Sequence, residues 1–80
     1  MEENVIIERV RELTSRLLSE AGVELVELTY RRESGGMVLR FAVDKAGGIT
    51  IGECGSLNRR IGAVLDETHP MDEHYMLEVQ

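Results

Sequence analysis

Eighty residues make one small domain, because splitting the chain would leave each half too short to bury a useful core, and a multidomain enzyme is excluded. An apolar share of 42% and a charged share of 30% fit a chain that folds, with a net stability of roughly 4 to 12 kcal/mol at this length. Nine Lys and Arg against fifteen Asp and Glu give a net charge of -6, which disfavours nonspecific coating of DNA and favours basic partners. One cysteine cannot close an internal disulfide, and no apolar run approaches the roughly 18 to 20 residues of a membrane span. The charged start Met1-Glu2-Glu3-Asn4 does not read as a signal peptide, so a cytoplasmic protein without a membrane partner is expected.

Five elements follow in chain order. From Val5 to Ala21 the residues Ile6, Val10, Leu13, Leu17 and Ala21 fall at helical spacing, with Ile7 and Leu18 widening the stripe. Asn4 is placed to cap this helix and Gly22 to stop it. Its other side carries Glu8, Glu12, Arg16 and Glu20, read as a solvated face with Glu12 paired to Arg16. Val23 to Arg31 and Met37 to Asp44 predict two strands, with Val26, Leu28 and Tyr30 inward on the first and Met37, Leu39, Phe41 and Val43 inward on the second. Ser34-Gly35-Gly36 supplies the hairpin turn between them.

Thr50-Ile51-Gly52-Glu53 has the form of a capping box and opens a second helix to about Asp66, with Cys54, Leu57, Ile61, Val64 and Leu65 as its stripe. Gly55, Arg59, Gly62 and Asp66 share its other face; the glycines are either tolerated surface positions or places where something comes close. After a polar loop, Tyr75, Leu77 and Val79 alternate as a third strand. The order is α-β-β-α-β, which predicts an α+β two-layer sandwich with both helices on one face of a three-stranded sheet and Leu39 and Phe41 packed beneath Leu13, Leu17, Leu57 and Ile61.

Catalytic chemistry finds little support. Cys54 sits on the apolar stripe, where a buried inert thiol is the ordinary outcome. Asp66 to His74 holds six potential metal ligands, among them His69 and His74, without zinc or EF-hand spacing. No metal or other cofactor is expected. Gly47-Gly48 is followed by neither a Lys-Ser/Thr pair nor a G-x-G-x-x-G pattern and reads as a turn, not a phosphate cradle, so no small-molecule substrate is expected. Arg31 and Arg32, Arg40, and Arg59 with Arg60 are candidate phosphate contacts that could position the domain on folded RNA. An aromatic share of 4% leaves almost no stacking platform for reading an RNA sequence.

Asp44-Lys45-Ala46-Gly47-Gly48-Ile49-Thr50-Ile51, then Cys54, Leu65-Asp66 and Tyr75-Met76-Leu77-Glu78-Val79, resemble the amino-terminal domain of the bacterial ribosome maturation factor RimP family. Gly22 and Glu24-Leu25-Val26-Glu27-Leu28 extend the resemblance over nearly the whole chain. It implies an α+β unit of the kind compared with KH folds, in a non-catalytic factor that binds the immature small ribosomal subunit and assists its late assembly. The family's carboxy-terminal β-barrel has no counterpart in residues 1–80, which are expected to form the amino-terminal domain alone. The family's Ser-Ser-Pro-Gly continuation after the Leu-Glu-Val strand is absent where the chain stops at Gln80, and His69 replaces a frequent acidic residue. Combined with the charge pattern, the expected surfaces are Arg31, Arg32, Arg40, Arg59 and Arg60 toward ribosomal RNA, and Asp66, Glu67, Asp72 and Glu73 toward a basic ribosomal protein. The competing class is a stand-alone protein–protein interaction or self-association module.

Overall fold

The computed structural model describes residues 3–80. Its elements are α1 (Glu3–Glu20), β1 (Glu24–Glu33), β2 (Gly36–Asp44), α2 (Ile51–Thr68) and β3 (Tyr75–Val79), in the α-β-β-α-β order that the hydrophobic periods predict. The sheet order is β1-β2-β3, with β2 central, antiparallel to β1 and parallel to β3. A parallel pair needs a crossover, and α2 supplies it, so its position over the sheet follows from the topology. Val10 and Leu18 of α1 and Leu57, Ile61 and Leu65 of α2 join Leu28, Tyr30, Met37, Leu39, Phe41 and Val43 in one core. Both helices therefore cover the same face, giving the two-layer α+β sandwich.

Helix α1 differs from its expected form in three ways. It extends past Asn4, which is helical and not a cap. Its buried line is Val10, Thr14 and Leu18, while Leu13 and Leu17 flank the core half-buried. The stripe is rotated because Thr14 buries fully once its hydroxyl donates to the Val10 carbonyl at 2.9 Å, so an apolar count misses it. The charge pairs are Arg16 with Glu20 at 3.4 Å and Arg11 with Glu8 at 3.9 Å, in place of Glu12 with Arg16. Gly22, at φ 70°, ends the helix: its N–H donates to Ser19 and that of Val23 to Leu18, the paired bonds of a Schellman motif.

Within β1 the register slips between Leu25 and Glu27, leaving Val26 without a partner on β2. The bulge turns Val26 outward at 61% exposure and gives its expected inward place to Leu25. On β2, Val38 is buried although it belongs to the face away from the helices, flanked across the strands by Arg31 and Met76. Helix α2 starts at the expected capping box, with Thr50 and Glu53 each satisfying the other's backbone N–H. It runs two residues beyond Asp66 and closes on His69 in the left-handed region at φ 49°, where the following Pro70 disfavours further helix. Met71 then reaches into the core, so the polar loop before β3 is pinned. Cys54 is half-buried, less enclosed than the stripe position implies.

Candidate functional site

Charge is divided along α2. Asp66 and Glu67 are exposed in its last turn, which carries no basic residue, so carboxylates face the partial negative charge of the helix end. Asp72 and Glu73 are exposed in the adjoining loop. The negative field is felt nearby: burial, then Asp66, raises the Tyr75 phenol, and burial, then Glu73, raises that of Tyr30 against the opposing pull of Arg32. A cation placed here relieves both the carboxylate repulsion and the helix end.

The five candidate arginines do not form one patch. Arg59 and Arg60 are exposed on the middle of α2, and no carboxylate pairs with either among the described residues. Arg59 folds back toward Gly55, whose added Cβ would lie 3.8 Å from the guanidinium. Arg60 borders a hollow with Ala21, Val23, Glu53 and Ser56 at the junction of the helices. Arg31 is exposed on the sheet face away from the helices, opposite Val38. Arg32 donates to Glu73 at 3.1 Å, pairing a residue expected on the RNA side with one expected on the protein side.

Arg40 differs from the others in being held on both sides. Its Nη1 and Nη2 donate to Glu33 at 2.9 and 3.2 Å, and its Nε donates to Glu78 at 2.8 Å. One guanidinium thus ties β1, β2 and β3 across the open face of the sheet, and the hydrogen bonds from Arg40 lower the Glu33 carboxyl. With two carboxylates already on it, the group carries a local charge of about -1 and works as a strap across the three strands. Sequence reading missed it because the three residues meet only through strand register, Arg40 lying opposite Thr29 and Glu78.

A groove of about 410 Å³ separates the last turns of α2 from β3, lined by Asn58, Gly62 and Asp66 on the helix and Tyr75 and Leu77 on the strand. Asn58 donates its side-chain amide to the Leu77 carbonyl at 3.3 Å. An added Cβ at Gly62 would stand 3.8 Å from Leu77, so at this helical glycine it is the chain's own strand that comes close. Among the described residues no three His, Cys, Asp or Glu side chains gather as a metal site. No helix among them is long and apolar enough to cross a membrane.

Compared with known families, residues 13–80 match the model of the RimP N-terminal domain. The chain belongs to the RimP N-terminal domain family. The match begins inside α1 and takes in the whole sheet, α2, both charged regions and the groove. RimP membership makes this a domain of the ribosome maturation factor class, the family that the Gly47-Gly48 turn, the capping box and the closing strand resemble.

Proposed function

We propose that this domain acts in the bacterial cytoplasm as a non-catalytic assembly factor, binding the immature small ribosomal subunit and assisting its maturation. The observation that carries the reading is the family match over residues 13–80. The division of charge supports the roles within it. Arg59 and Arg60, uncommitted among the described residues, face ribosomal RNA, with Arg31 and Arg32 as further contacts. Asp66, Glu67, Asp72 and Glu73 face a basic ribosomal protein. Arg40 has no part in this surface, because Glu33 and Glu78 occupy it. No cofactor, DNA or small-molecule substrate enters the scheme.

Gradient sedimentation with purified particles tests the reading. The chain is expected to travel with immature small subunits and to stay at the top of the gradient with large subunits. Equal association with both, or with neither, contradicts the proposal.

A further inference from the structure

Strand β3 is the edge of the sheet and the direction of its free groups can be fixed. The Gln80 N–H donates to Phe41 and its carbonyl accepts from Val43, so both groups of Gln80 point to β2. Alternation then turns Met76 and Glu78 toward β2, and Tyr75, Leu77 and Val79 away from it. The Asn58 side chain occupies the outward Leu77 carbonyl, but no strand pairs on this side among the described residues.

The two sheet edges are guarded differently. β1 has a bulge at Leu25–Glu27 and the charged residues Glu24, Glu27, Arg31, Arg32 and Glu33, features that deter pairing. β3 has no bulge in its register, and its single charged residue, Glu78, is held by Arg40. Beside it lies the groove lined by Asn58, Gly62 and Asp66 of α2 and by Tyr75 and Leu77 of β3.

We propose that a basic, extended peptide segment binds in the groove between α2 and β3 as a fourth strand on the free edge of β3. The inference rests on the reading that the acidic end of the domain meets a basic protein, and it specifies how. Main-chain bonds to the Leu77 N–H and to Val79 supply the docking, while side chains on the helix side of the added strand reach Asp66 and Glu73. Glu73 is available because its bond to Arg32 joins two exposed side chains, which exchange partners at little cost. Side chains on the other side lie along Met76, an apolar residue 59% exposed. The preferred segment therefore alternates basic with apolar residues over about six positions, the reach of a strand this long. A second copy of this chain suits the edge poorly, since each carries a net charge of -6.

Amide hydrogen exchange on the whole chain, with and without a blocked peptide of about six residues alternating lysine and valine, tests this directly. Saturating peptide is expected to slow exchange at Leu77 and Val79 and to leave Met76 and Glu78, already bonded to β2, unchanged. The same peptide with glutamate for lysine is expected not to bind. Leu77→Pro removes an N–H that β2 does not use, and Asp66→Lys reverses a groove charge; each is expected to weaken binding about tenfold, the size of one lost favourable contact. Leu77→Pro serves only if its amide spectrum retains the parent's dispersion; the exchange pattern of the parent decides the matter by itself. Uniform or absent protection at Leu77 and Val79 overturns the proposal, as does concentration-dependent protection of both without peptide, which would place a second copy on the edge. If that happens while the chain still travels with immature subunits, strand addition fails and the proposed function stands; strand addition without subunit binding is the reverse case.

Discussion

Arg32 and Glu73 stand 41 positions apart in sequence and 3.1 Å apart in space, joining β1 to the loop that leads into β3. Their charges are opposite and their expected partners were opposite too, so within the fold each cancels part of the other's field. Both side chains are more than half exposed, and water and salt weaken such a pair. Arg32→Ala is expected to change stability by no more than about 1 kcal/mol, measured as a shift in urea midpoint. A larger loss would show that the pair anchors the loop, a task assigned here to Met71.

Phe41 bears much more. It is fully buried at the centre of β2, between Leu28 on β1 and Val79 on β3. Phe41→Ala is expected to cost about 3 to 5 kcal/mol, a large part of the stability available to 80 residues. Chemical denaturation should show a variant partly or wholly unfolded without denaturant. An unchanged midpoint would remove Phe41 from the core.

The start of α2 sets an acid response. Glu53 accepts from Lys45 and from the Thr50 backbone N–H, and these bonds hold its carboxyl down at about 2 against an ordinary 4.5. A depressed carboxyl stabilises the fold fully above its unfolded value and loses that contribution as pH falls through its folded one, so the window runs from pH 4.5 down to about 2. Glu53→Gln keeps an acceptor for the cap and abolishes the titration. Across that window the urea midpoint of the parent should fall more steeply than that of the variant; parallel curves would mean that Glu53 does not carry the response.

Much of this fold can be read from the sequence, because its helices and strands follow simple hydrophobic periods and most of its left-handed backbone positions carry glycine, His69 at the end of α2 being the exception. Gly22 and the Thr50–Glu53 box illustrate this, since each acts within a few residues of its own position. What sequence reading missed depends on partners far along the chain or on a polar atom satisfied locally. Thr14 counts as polar until its hydroxyl is seen on Val10, and Val26 counts as inward until the bulge is seen. The site divides in the same manner. The acidic end lies together because Asp66, Glu67, Asp72 and Glu73 are close in sequence, whereas the Arg40 strap and the Asn58–Leu77 bond exist only once parallel β2–β3 pairing sets the register.

The central claim is that two oppositely charged surfaces of this domain engage the immature small subunit, Arg59 and Arg60 toward RNA and the carboxylates toward protein. Its most direct test is the affinity of immature small subunits for the parent, Arg59→Glu/Arg60→Glu and Asp72→Lys/Glu73→Lys, measured over a series of salt concentrations. The account predicts that reversing the arginines weakens binding and flattens its salt dependence, each lost phosphate contact removing about 0.7 to 0.9 from the logarithmic slope. Reversing the carboxylates should weaken binding to the basic ribosomal protein measured in isolation. Equal affinity and equal salt slopes for the parent and both variants would contradict the account.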